Sequence, residues 1–60
     1  MSKELGVKVR SKLFILKMSQ KELAEEIGIS NAYLSDIING RKTGPKAQAH
    51  IKHIRKILGI

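Results

Sequence analysis

The chain has no cysteine and no tryptophan, and a single proline, phenylalanine and tyrosine; only five of its 60 residues are acidic. Without thiols it has neither a disulfide framework nor a thiolate metal site to supplement a small core. A chain of this length buries only about 60% of the surface its unfolded form exposes, so order must come from economical helix packing or from a partner. No apolar run approaches the roughly 18 residues of a bilayer span. The start, MSKELGVKVR, lacks the apolar centre of a secretory signal. One unprocessed domain over residues 1–60, in a reducing cytoplasm and without a membrane partner, is the expectation.

Catalytic groupings are absent too. There is no Gly-rich phosphate loop and no Ser, His and acid set at a spacing that recommends nucleophilic chemistry, so neither enzyme activity nor a cofactor or small-molecule ligand is expected. His50 and His53 stand three apart, but with no cysteine and no nearby carboxylate they leave a metal shell incomplete.

What is present is positive charge, 12 Lys and Arg for a net +7. That excess favours a polyanionic partner, with nucleic acid first and an anionic membrane surface second. Its distribution is uneven. Residues 1–18 hold five bases and one acid, residues 19–40 one base and four acids, and residues 41–60 six bases and no acid. Two basic flanks therefore bracket an acidic middle, unlike a disordered basic tail.

Apolar periodicity organises the chain into helices. Leu5, Val9, Leu13 and Leu16 recur at helical spacing and predict the core face of a first helix over about 4–17, with Val7 and Phe14 on the opposite side. MSQKEL then carries a complete helix start: Ser19 as N-cap, Glu22 closing a capping box, Met18 and Leu23 as a hydrophobic staple. This second helix turns Leu23, Ala24 and Ile27 inward and stops at Gly28, the residue type suited to a left-handed end. Ser30 caps a third helix, with Ile29 and Leu34 repeating the staple and Leu34, Ile37 and Ile38 as its apolar stripe; Asn39-Gly40 ends it. Pro45 launches a fourth helix over about 46–58, with Ala47, Ile51, Ile54 and Leu58 inward and Lys52, Arg55 and Lys56 outward.

Two short helices joined by a tight Gly-containing turn describe a helix-turn-helix over about residues 19–39. Ala24 lets the helices approach, Gly28 turns the chain, and Ile29, Leu34 and Ile37 seal the joint. Here the sequence resembles the Cro/repressor (XRE-like) family of phage and bacterial DNA-binding domains. Its pattern S-Q-x-x-L-A-x-x-x-G-[IV]-S-x-x-x-[LI]-S-x-[IL]-x-N-G is met by SQKELAEEIGISNAYLSDIING. The likeness runs back through LGVKVRSKLFILK and forward to the ending ILGI. It implies an all-α, lambda-repressor-like bundle of four short helices, without the family's usual fifth. It also implies a double-stranded DNA operator as partner, bound by a homodimer across two half-sites or by a monomer at one, and residence in the host cytoplasm, nucleoid-associated when bound. Where many members carry an arginine paired with a carboxylate near the end of the recognition helix, this chain has Leu13 and Ile38, which predicts an apolar contact instead. The loop before Pro45 is one residue longer than the common form.

The resemblance also assigns residues. With Leu34, Ile37 and Ile38 inward, Asn31, Ala32, Tyr33, Ser35 and Asp36 are the candidates for reading bases: Asn31 pairing with adenine, Ala32 and Tyr33 meeting a thymine methyl, Asp36 accepting from a cytosine amino group. Gln20 and Asn39 by family position, and Arg41, Lys42, Thr43 and Lys46 after the third helix, are the candidates for gripping phosphate. Ser30 joins them through the partial positive charge of a helix start. Arg10, Lys12 and Lys17 read as solubilising charges on the first helix.

Val7 and Phe14 are either a contact surface for a second subunit or another protein, or are covered by the C-terminal segment of the same chain. Ile57 and Ile60, off the buried stripe of the fourth helix, form a second candidate patch for self-association. Two other classes of function compete with a DNA-binding repressor. An antitoxin-like or anti-repressor protein-interaction module would use Val7, Phe14 and Ile57 as its contact. A cationic membrane-active chain, suggested by HIKHIRKIL, would have to expose Ile51 and Ile54.

Overall fold

Ser19 and Glu22 exchange the two hydrogen bonds of a capping box: the Ser19 hydroxyl accepts from the Glu22 N–H at 3.0 Å, and Glu22 Oε1 accepts from the Ser19 N–H at 2.9 Å. The backbone bond from Ser19, and then its side-chain bond, hold the Glu22 carboxyl below its usual range. A depressed carboxyl contributes to stability above the ordinary carboxylate range and loses that contribution as pH falls through its folded value. Ser30 caps the next helix by accepting from the Tyr33 N–H at 3.0 Å. The last helix opens with Pro45 behind Gly44, which supplies no side-chain cap.

The computed structural model describes residues 2–60, with side chains from Glu4 onward; Met1 of the expected 1–60 domain lies outside the described residues. The helices are α1 (Ser2–Leu16), α2 (Gln20–Ile27), α3 (Asn31–Ile38) and α4 (Pro45–Leu58), and no strand occurs among the described residues. The all-α expectation is met, with boundaries within two residues of those read from the sequence.

All four helices end in the same way, with a left-handed residue followed by a residue whose N–H reaches back to the final turn. The left-handed positions are Lys17, Gly28, Gly40 and Gly59. After them Met18 donates to the Leu13 carbonyl, Ile29 to Ala24, Arg41 to Asp36 and Ile60 to Arg55, at 2.8 to 3.0 Å. Met18, Ile29 and Ile60 are thereby folded back onto the core as half-buried apolar plugs. At α3 the corresponding residue is Arg41, and it stays exposed.

Leu5, Val9 and Leu13 from α1, Leu23 and Ala24 from α2, Leu34, Ile37 and Ile38 from α3, and Ala47, Ile54 and Leu58 from α4 form the buried core. The helices α3 and α4 each pack against all three others. Leu13 and Ile38 are both in this core, as the apolar replacement predicted. No polar side chain is buried among the described residues.

Several expectations are corrected. Leu16 is 47% exposed and not part of the core face, because the chain reverses at Lys17 and Met18 packs against the core at that end. Ile27 and Ile51 are half-buried. Ile57 and Ile60 are half-buried: both pack partly against the core, Ile60 because the left-handed Gly59 folds it back. No C-terminal segment covers Val7 or Phe14, which are 60% and 84% exposed.

Candidate nucleic-acid interface

The capped starts of α2 and α3 are tied together by their first residues. Gln20 Nε2 donates to Asn31 Oδ1 at 2.9 Å. This bond holds the Asn31 amide in one orientation at the N-terminus of α3 while leaving its own N–H groups free to donate outward.

Along the outward side of α3 the environments differ. Asn31 and Ala32 are exposed, whereas Tyr33, Ser35 and Asp36 are half-buried. Tyr33 meets His50 of α4 edge to face, with centroids 5.7 Å apart and planes at 89°. That geometry fixes the ring by the favoured arrangement of aromatic quadrupoles. The Ser35 hydroxyl accepts from Asn39 Nδ2 at 3.2 Å. Asp36 pairs with Arg41 at 3.1 Å, the two side chains being 34% and 64% exposed. Its backbone carbonyl also accepts from the N–H groups of Arg41 and Lys42. The one acid on α3 is thus matched by the first base after it.

Asn39 is held on both sides. Besides donating to Ser35, it accepts from Arg10 Nη2 at 3.0 Å. Arg10 is therefore not merely a solubilising charge: it crosses from α1 to the end of α3, where a cation also suits the negative end of the helix dipole. Gly6 makes the crossing close, since a methyl group there would stand 3.1 Å from both the Ile38 carbonyl oxygen and Arg10 Nη1. The roles of Arg10, Gly6 and His50 were missed in the sequence. Their only signal was a position on the flanks of the apolar stripes.

After α3 the chain forms an open cleft of about 520 Å³ whose lining includes Tyr33, Arg41, Lys42, Thr43 and Lys46. The first-turn N–H groups of α4 have no side-chain cap, and Pro45 removes one of them. Three cations, a hydroxyl and a helix start therefore converge beside the exposed side of α3. Such a set suits phosphate oxygens. Of the sequence candidates, this cleft gathers Tyr33, Arg41, Lys42, Thr43 and Lys46. Gln20 and Asn31 form a separate pair at the α2–α3 joint, and Ser30 has its hydroxyl engaged in its own cap. Among the described residues no helix is long and apolar enough to cross a membrane. No group of three metal-ligating side chains occurs there either.

A family model described as Helix-turn-helix, of Cro type, matches residues 15–59. That span takes in α2, α3, α4 and the last residues of α1. The matching family is one of DNA-binding regulators and not of enzymes. No curated protein and no solved structure matches the chain.

Proposed function

We propose that this chain, which belongs to the Cro/repressor-type helix-turn-helix family, is a sequence-specific repressor from a phage or bacterium that lays α3 in the major groove of an operator. The observation that carries the reading is the union of two surfaces. The exposed side of α3, with Asn31 and Ala32 at its start, adjoins a cleft in which Arg41, Lys42, Thr43 and Lys46 surround the uncapped start of α4. Phosphate contacts position a protein on the duplex and base contacts specify the site. The short side chains of α3 suit the second task, and the cations after it suit the first.

Within this reading, Gln20 orients Asn31 for a bidentate pair with adenine, and Ala32 meets a thymine methyl. Tyr33, braced by His50, adds an apolar edge. Asp36 accepts from a cytosine amino group while Arg41 neutralises it against the phosphates. Asn39 acts by holding the end of α3 through Arg10 and Ser35, with its remaining amide hydrogen available to phosphate. Repression follows by occlusion of a promoter in the host cytoplasm.

Selection of bound sites from random duplexes tests this. Wild-type protein should enrich one short motif, and Asp36→Ala should relax preference at a single cytosine position while leaving the rest unchanged. A protein that enriches no motif defeats the proposal. An unchanged motif with Asp36→Ala removes Asp36 from the base-reading set.

A further inference from the structure

At the end of α3 two hydrogen bonds run in series, and chemistry fixes their direction. Arg10 Nη2 donates to Asn39 Oδ1 at 3.0 Å, and Asn39 Nδ2 donates to the Ser35 hydroxyl oxygen at 3.2 Å. A guanidinium has five N–H donors and no acceptor. Facing it, Asn39 has to present its carbonyl oxygen, which turns its NH2 group towards Ser35. Ser35 Oγ therefore accepts, and its own proton points elsewhere. The bond between Gln20 and Asn31 carries no such constraint, because both amides can turn over together and keep it.

The anchor of this series comes from another helix. Arg10 stands 29 residues before Asn39, and it reaches the end of α3 beside Gly6, where a methyl group would come within 3.1 Å of its Nη1. At about 100° per residue, Asn31, Ala32, Ser35 and Asn39 fall on one side of α3. Ser35 is half-buried on that side, next to the exposed Asn31 and Ala32. Among the described residues nothing accepts from its hydroxyl, so the proton is left to water or to a bound partner.

On the reading that α3 lies in the major groove, we infer that Arg10 and Asn39 form a relay that makes Ser35 a hydrogen-bond donor to the operator, so that cytosine is rejected at the base beside it. Guanine offers N7 and O6 there, adenine N7 and thymine O4, whereas the cytosine edge offers only an amino donor. Two donors brought face to face and stripped of water are both left unpaired. Ser35 and Asp36 thus have opposite tasks: the carboxylate takes a cytosine amino group, and the hydroxyl refuses one. Arg10 and Asn39 touch no base in this arrangement and are positioning residues.

Selection of bound sites from random duplexes, run side by side on wild type and variants, tests the relay, with thermal circular dichroism to show that each variant is folded. One position of the wild-type motif should be depleted of cytosine by about tenfold, the effect of a desolvated donor without a partner. Ser35→Ala should remove that depletion and leave the other positions unchanged. Arg10→Met keeps an unbranched stem but donates nothing, so Asn39 can turn over and accept from Ser35, and cytosine should become tolerated at the same position. Arg10→Lys, still a cation that only donates, should retain most of the depletion. Asn39→Asp, whose two oxygens accept from Arg10 and Ser35 alike, should release it even where Arg10→Met proves unstable. A wild-type motif that Ser35→Ala leaves intact overturns the inference while DNA reading by α3 stands, and is the result if the proton turns back to the Asn31 carbonyl. A motif changed by Ser35→Ala but by neither Arg10→Met nor Asn39→Asp overturns the relay. A wild-type protein that enriches no motif defeats the DNA-binding reading and the relay together.

Discussion

Gly6 stands where α1 passes over the end of α3, and the distance from its missing methyl to the Ile38 carbonyl oxygen is 3.1 Å. A backbone oxygen cannot move aside as a flexible side chain can. Gly6→Leu should therefore force the helices apart and lower stability by about 2 kcal/mol, the usual cost of overpacking. In a domain of this size that is a fall in Tm of roughly 10 °C, read by thermal circular dichroism. The same position bears on the reach of Arg10: a methyl group at Gly6 would stand 3.1 Å from its Nη1 and crowd the guanidinium that meets Asn39. Nothing in the run LGVKVR distinguishes this arginine from a solvated one, because the partner lies 29 residues away.

The helices begin differently but share a left-handed ending, and what separates those endings is the residue type placed there and just beyond. Three of the four left-handed positions are glycines, and the fourth is Lys17 with φ 57°. A residue with a Cβ pays about 1 kcal/mol or more for that conformation, while glycine adopts it freely. Lys17→Gly should raise the midpoint of urea unfolding by an amount equivalent to about 0.5–1 kcal/mol, the gain being reduced by the freedom glycine adds to the unfolded chain. Where the residue after the turn is apolar, the chain end becomes part of the core. At α3 it is Arg41, and the hydrophobic contact that usually closes such an end is replaced by its ion pair with Asp36. An exposed pair of this kind contributes little stability, so its effect is to direct Arg41 towards the cleft instead of the core.

Over the molecule the cations concentrate away from α2, which carries Glu22, Glu25 and Glu26, all exposed, and a single base, Lys21. The cleft concentrates three of them in Arg41, Lys42 and Lys46. For duplex DNA this predicts a plot of log affinity against log salt with a slope of about −3 per domain, less steep by about one in Lys42→Ala. Fluorescence anisotropy over a salt series gives both slopes.

Caps, stripes and turn glycines were legible in the sequence because each depends on residues within a turn or two of one another. Ser19 with Glu22, Ser30, Gly28 and the apolar spacings thus determined four helices, their order and the helix-turn-helix at their centre. Only the tertiary structure decided how those helices cross. The crossing sets Gly6 against Ile38 and lets Arg10 reach Asn39, braces Tyr33 with His50, and draws Ile57 and Ile60 onto the core. It also leaves Val7, Phe14, Ile15 and Leu16 uncovered. Periodicity tells which residues share a side of a helix, but whether anything lies against that side depends on the angle and offset of helices far apart in the chain.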